Sequence, residues 1–451
     1  MTRIQALRIL AVTAAAAAVL QITAFGRSRA PVMQTFPDPT GEFRTYSSAG
    51  FDGRNLFFQS AGTNGRSCVT CHQPNDAWTI IPSHVQARFD ATGGLDPIFR
   101  TNDGSNSPLA DVSTIEARRN AYSMLLSKGL IRVGIGVPAN AEFELIGVDD
   151  PYGYASAKEL SLFRRPLPST NLTALATVMW DGRETFPGQT IHFDLTDQAN
   201  GATVGHAAAS DPLSSDQREE IVRFETSLYT AQATDFAAGD LQAQGGRGGP
   251  VQLSVEPFFI GINDPLSPGY NPTSMSLYDS WTRFRRSNRD RYTPARESVA
   301  RGEVLFNSLP IQISGVRGVN DVLGQEVITG TCTTCHNAPN IGNHSVSLPL
   351  DLGISSEERR TPDMPLYTFR NKTTGETIKT TDPGRALITG KWSQISLFKG
   401  PILRAVAARA PYFHNGSAAT LEDVVKFYNE RFKLELNEQQ KRDLVAFLRS
   451  L

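Results

Sequence analysis

Cys68-Val69-Thr70-Cys71-His72 and Cys332-Thr333-Thr334-Cys335-His336 decide how the rest of this chain is read. Each is a Cys-x-x-Cys-His run. On a helical turn, cysteines three apart share one face and can form thioethers with the two vinyl groups of one porphyrin. The histidine that follows can swing beneath the ring and bind iron through an imidazole nitrogen. Together the two runs use all four cysteines of the chain. A single run could arise by chance, and a four-cysteine zinc site or redox dithiols are the alternatives. Two complete runs predict two covalently bound c-type haems, one on Cys68, Cys71 and His72, the other on Cys332, Cys335 and His336.

The flanks repeat as well. Gly53-Arg54-Asn55-Leu56-Phe57-Phe58 precedes the first run and Gly302-Glu303-Val304-Leu305-Phe306 the second. Each reads as a short helix whose Leu-Phe pair packs on a haem or in an ordinary core. The expected architecture is mainly α, with two cytochrome c-like domains and long loops, each domain holding one covalent haem. The N-terminal domain is expected over 41–242. Gln244-Gly245-Gly246-Arg247-Gly248-Gly249-Pro250 reads as a linker or loop over 243–250, and the C-terminal domain follows over 251–451. Within the first domain, Ile221, Phe224 and Leu228 recur at helical spacing and predict a helix over 216–230. Near the C-terminus, Thr420 and Asp423 resemble a capping box. They open a helix whose inner face holds Leu421, Val424, Val425, Tyr428 and Phe432. Asn437 caps a last helix with the stripe Leu444, Val445, Leu448 and Leu451.

Length and composition fit this picture. With 451 residues there is room for two or three domains. Forty-four basic residues balance 45 acidic ones, which gives no electrostatic case for nucleic acid or a polybasic membrane surface. At the N-terminus, Arg3 and Arg8 precede an apolar run from Ile9 to Phe25, and Ser28-Arg29-Ala30 offers small residues for cleavage. Residues 1–30 are therefore expected to be a signal peptide or a membrane anchor, placing the rest of the chain in the periplasm or otherwise outside the cytoplasm.

Further segments extend the reading. Met179-Trp180-Asp181-Gly182-Arg183, Ala410-Pro411-Tyr412-Phe413-His414-Asn415-Gly416 and Thr420-Leu421-Glu422-Asp423-Val424-Val425 stand between and after the two runs. With these, the chain resembles the bacterial di-haem cytochrome c peroxidase and MauG superfamily. The resemblance covers most of the chain and is weak over 80–165 and 255–295. It implies that the N-terminal haem binds peroxide while the C-terminal haem relays electrons or stores oxidising equivalents. It also implies that Trp180 lies between them as an electron relay, where the plain alternative is a packed indole.

Departures from the family pattern narrow the expectation. Fourteen residues after the histidine matched by His414, peroxidases place Met, whereas this chain has Tyr428, as MauG-like enzymes do. A thioether favours reduced iron, and a hard phenolate favours oxidised iron. Tyr428 is therefore expected to bind the second haem's iron; the alternative is a core tyrosine, with His414 or water on the metal. On the peroxide side the family has Gln and Glu. Here Gln198 arrives late, no Glu follows at the matching spacing, and His206 is the nearest acid–base candidate. His206 could instead ligate iron or lie on the surface. His84, His192 and His344 read as surface or supporting histidines. The family's calcium ligands correspond to Arg165 and Arg409, so no calcium is expected there; the two readings of these arginines are a stand-in for its charge and a pair of solvated surface residues. The implied activity is a di-haem oxidoreductase acting on hydrogen peroxide or oxygen, supplied by a redox partner protein or an organic electron donor. A non-enzymatic electron carrier and a haem oxygenase on an organic substrate are the rival readings.

Overall fold

The computed structural model describes residues 30–285, 287 and 289–451. The expected export segment lies outside the described residues except for Ala30. Among the described residues no helix is long and apolar enough to cross a membrane.

The mainly α expectation does not hold. The described residues are 33% helical and 17% strand, and their strands form four separate sheets, a mixed α and β architecture in place of a mainly α one. The first sheet begins with a hairpin of Val32–Asp38 and Gly41–Ser47, paired antiparallel. Its turn is closed by Asp38, whose Oδ1 accepts from Thr40 N at 2.7 Å and Gly41 N at 3.1 Å. The second strand then pairs with Leu228–Asp235. Part of the expected helix over 216–230 is therefore strand. The helix stops at Thr226, and Leu228, though spaced like a helical core residue, enters the core from the strand instead.

A second sheet brings distant sequence together. Phe143–Asp149 pairs antiparallel with Leu366–Asn371, which also pairs with Thr377–Thr380. Phe143, Leu160, Leu162, Tyr367, Phe369, Ala386 and Ile395 form one buried cluster against it. These strands escaped the sequence reading because partners about 220 residues apart leave no local signature.

The helices that carry the site are numbered here as α1 (Ile191–His206), α2 (Ser215–Thr226), α3 (Thr293–Ser308), α4 (Leu421–Phe432) and α5 (Glu438–Arg449). The two C-terminal caps form as expected. Asp423 N donates to Thr420 Oγ1 at 3.1 Å while Asp423 Oδ2 accepts from Thr420 N at 3.0 Å. Asn437 and Gln440 do the same for α5. Helices α3 and α5 pack so closely that a Cβ at Gly302 would overlap the carbonyl oxygen of Asp443. Val299, Phe306, Leu444, Phe447 and Leu448 are buried in the core that these helices share, each worth about 1.5–3 kcal/mol relative to exposure.

Candidate functional site

The two Cys-x-x-Cys-His turns are built alike. Before the first, Ser67 N donates to Thr70 Oγ1 at 3.0 Å; before the second, Thr331 N donates to Thr334 Oγ1 at 2.9 Å. The turn then closes through His72 N to Cys68 O and His336 N to Cys332 O, both 3.0 Å. The middle threonine of each motif is thus a capping residue, which fixes the cysteine spacing in space. All four cysteines are free thiols, and burial pushes each of them up.

Each motif histidine is oriented by a carbonyl. His72 Nδ1 lies 3.1 Å from Trp78 O, and His336 Nδ1 lies 2.7 Å from Gly342 O. A carbonyl only accepts, so Nδ1 carries the proton and Nε2 is left as a free donor atom for a metal. Burial keeps both rings neutral, pushing His72 down to about 4 and lowering His336 as well.

Behind each turn opens a large cavity. The first, with about 1540 Å³ of empty space including its mouth, is lined by Cys68, Cys71 and His72 together with Gln198 and His206 from α1. The second, about 1550 Å³, is lined by Cys332, Cys335 and His336 together with His344, His414 and Tyr428. Both walls are otherwise largely apolar, with Leu56, Leu172 and Leu195 in the first and Phe306, Ile313 and Val425 in the second. Paired thiols, an imidazole with a free nitrogen and an apolar slot are the donor set and surroundings that a covalently held haem requires. The residues present fit the group.

Trp180 and Lys399 line both cavities. Trp180 Nε1 donates to Arg165 O at 2.8 Å, and its ring meets His414 edge-on at 6.2 Å. Lys399 N donates to Trp180 O and its Nζ to Thr177 O, both at 2.9 Å. Burial pushes the Lys399 amine down to about 7. The neighbouring motif residues serve as a brace. Buried Asp181 accepts from Arg164 at 2.5 Å and from Arg183 at 3.1 Å, and Arg164 also reaches Asp382 at 2.6 Å. Met179 and Phe413, each directly before Trp180 or His414, have positive φ of 66°, a costly backbone state for residues with a side chain.

Arg165, whose carbonyl holds Trp180, is itself fixed through its side chain. Its guanidinium donates to the carbonyls of Ile80 at 2.7 Å, Lys128 at 3.0 Å, Arg409 at 3.3 Å, Gly129 at 3.4 Å and Ala410 at 3.5 Å. A single side-chain cation thus gathers five backbone oxygens. Arg409 lies beside it, with Nη2 donating to Ile402 O at 2.9 Å.

Around the first cavity, α1 presents Gln198 and, at its C-terminal end, His206. His206 Nδ1 is paired with Asp103 Oδ2, and Asp103 Oδ1 with Arg66. Burial favours the neutral form of Asp103, but His206 and Arg66 outweigh it and hold the carboxyl below the usual range. Glu225 of α2 also lines this cavity, and burial pushes it up to about 7. None of Asp103, Arg66 and Glu225 carried a signal in the sequence; Asp103 stands in a turn-prone run a hundred residues before His206.

Around the second cavity, His414 stacks on Phe398 with ring centroids 4.0 Å apart, and its Nε2 lies 3.1 Å from Ser355 Oγ. Burial pushes it down to about 4. Tyr428 faces the same cavity from α4, among Phe413, Phe427 and Phe432. His344 is buried here, with Nδ1 unpartnered. By contrast His84 pairs with Asp76 and His192 with Glu219 near the surface, and neither lines either of these two cavities.

No family model matches the chain. It is similar to a cytochrome-c peroxidase of Denitromonas iodatirespirans, 32% identical over 28% of this chain and 38% of that protein. It is also similar to the cytochrome c551 peroxidase of Nitrosomonas europaea, 30% identical over 29% and 34% of the two chains. A cytochrome c peroxidase of Escherichia coli is 34% identical over 27% and 22%. The matched stretches thus span well under half of each relative. Among solved structures, a MauG-like protein associated with microbial copper homeostasis aligns over 88% of this chain and 86% of that one, at 16% identity and a TM-score of 0.39, too loose a likeness to carry an argument. Haem is the cofactor these peroxidases imply. These stretches support the resemblance to bacterial di-haem cytochrome c peroxidases over 27–29% of this chain.

Proposed function

We propose that this protein is an exported, periplasmic di-haem oxidoreductase that reduces hydrogen peroxide, or oxygen, at the His72 cavity. Its electrons come from a redox partner protein or an organic donor. The observation that carries this reading is the pair of like-built Cys-x-x-Cys-His turns opening on two cavities whose opposite walls differ. Cys68, Cys71 and His72 would hold one haem covalently, and Cys332, Cys335 and His336 the other. Haem iron, when bound, supplies the electron exchange with peroxide.

The residues of the chain do the rest. Across from His72, Gln198 and His206 bind and orient the peroxide, and His206 moves a proton between its oxygens. The mostly apolar lining limits water. Trp180, which lines both cavities, couples them by passing an electron through its indole. On the second side, His414 Nε2 is already engaged by Ser355, which supports Tyr428 as the outer ligand. A phenolate oxygen there favours the oxidised metal.

The test is low-temperature electron paramagnetic resonance of the purified ferric protein, before and after stoichiometric peroxide. A high-spin signal beside a low-spin one, with the high-spin signal lost on adding peroxide, is the expected result. Two low-spin signals unmoved by peroxide, even after partial reduction, would leave an electron carrier.

A further inference from the structure

His206 is half-exposed at the end of α1, where an unsupported imidazole would sample both tautomers and several rotamers. Here it is held. Asp103 is buried, and each of its carboxylate oxygens has one assigned partner, Arg66 on Oδ1 and His206 on Oδ2. Arg66 is itself buried and fixed along its whole guanidinium, with Nε on Pro97 O at 2.8 Å and Nη2 on Ile98 O at 2.6 Å. Its Nη1 also reaches the backbone carbonyl of His206 at 3.3 Å. The carboxylate therefore cannot rotate away from the ring, and the same arginine holds the histidine's main chain.

An ionised carboxylate only accepts hydrogen bonds. Opposite Asp103, His206 Nδ1 must carry the proton, so Nε2 is left as the acceptor of a residue that lines the cavity shared with His72. Should Nε2 take up a proton, the imidazolium would lie against the Asp103 charge inside a wall of low polarity, where such pairing is strongest. The other charged or titratable groups lining this cavity are Arg66, Arg164, Arg165, Arg183, Glu225 and Lys399, besides Cys68, Cys71 and His72 of the motif. None of them hydrogen-bonds the His206 ring, whose partner is Asp103.

We infer that Asp103, braced by Arg66, is a positioning residue that sets the tautomer and aim of His206, making His206 and Asp103 a proton-transfer dyad for the first cavity. This rests on the reading that peroxide reacts there. In the step, His206 Nε2 takes the proton from one peroxide oxygen and returns it to the other, which leaves as water when the O–O bond breaks. Overall one peroxide takes up two electrons and two protons to give two waters. The electrons come from the external donor named above and the two protons from solvent. Asp103 keeps its charge throughout.

The experiment uses the haem-loaded full chain with Asp103→Asn, His206→Gln and the double variant. It reads both the rate of reaction with peroxide and the equilibrium affinity for cyanide, whose binding as HCN also needs a base to take its proton. His206→Gln is expected to slow the peroxide reaction about 100-fold. Asp103→Asn should slow it at least tenfold, and the double variant should be no slower than His206→Gln, because Asp103 acts only through His206. Cyanide affinity should follow the same non-additive pattern. If the Asn variant fails to fold, Asp103→Ser provides the same comparison. An unchanged Asp103 variant, or losses that multiply in full, would overturn the dyad. If the parent protein is inert to peroxide, the proposed function fails instead. The cyanide series then decides the dyad alone, the non-additive pattern upholding it and a flat response overturning it.

Discussion

The two cavities start from the same turn and end as different environments. Each has paired cysteines capped by a threonine and a histidine aimed by a carbonyl. Opposite them, the first cavity has Gln198, His206 and Glu225, groups that can hold and move protons. The second has Tyr428 and a neutral His414 among stacked aromatic rings. The turn is therefore the common part of the two cavities, and the wall beyond it is what sets them apart. That wall comes from elsewhere in the chain each time, α1 and the Asp103 turn for one cavity, α4 for the other.

The comparison can be broken most severely by removing one attachment. Changing both Cys68 and Cys71 to Ala is expected to halve the haem content, read as the pyridine haemochromogen, and to abolish the peroxide reaction. The same pair of changes at Cys332 and Cys335 should also halve the haem but leave a high-spin signal that peroxide still removes. Were the two double variants indistinguishable, the asymmetry would be wrong.

A smaller effect separates the walls by pH. Burial raises Glu225 from its ordinary 4.5 to about 7. In the folded protein it therefore stays neutral while the unfolded chain ionises. The stability it contributes is full below about pH 4.5 and falls as pH rises to about 7. Glu225→Gln should remove that fall, worth about 3 kcal/mol by the size of the shift. Urea unfolding midpoints at pH 4.5 and 8 check it: the parent's stability should drop between them by more than the variant's.

Smaller again is the tuning of the second wall. Tyr428→Met is expected to favour the reduced metal by at least about tenfold, a rise of roughly 59 mV for a one-electron couple. Spectroelectrochemical titration should show the rise in one haem only. If neither potential moves, Tyr428 is not the ligand. The smallest effect is at the cap of the helix that carries it. Thr420→Ala should cost about 1 kcal/mol of stability in thermal or urea unfolding and leave both potentials where they were.

What could be read in the sequence was what local chemistry dictates. The Cys-x-x-Cys-His runs are legible because they are contiguous in sequence, and α4 and α5 because Thr420 and Asn437 cap them within three residues. Gln198, His206 and Trp180 line the first cavity, and Tyr428 faces the second. The sheets were not legible. Phe143–Asp149 finds its partner in Leu366–Asn371, and Leu228 satisfied a helical spacing with Phe224 although its backbone belongs to a strand. The supporting charges were hidden for the same reason. Asp103, Arg66, Glu225 and Lys399 gain their roles only from contacts across the fold, and an aspartate in an Asn-Asp-Gly turn looks like any other.

Arg165, with five carbonyl oxygens around its guanidinium and Trp180 bonded to its own carbonyl, gathers distant stretches of backbone around a charge that the gene itself encodes. A positive charge carried by a codon arrives with every copy at a ratio of one, cannot be washed out by a chelator, and is lost only by mutation.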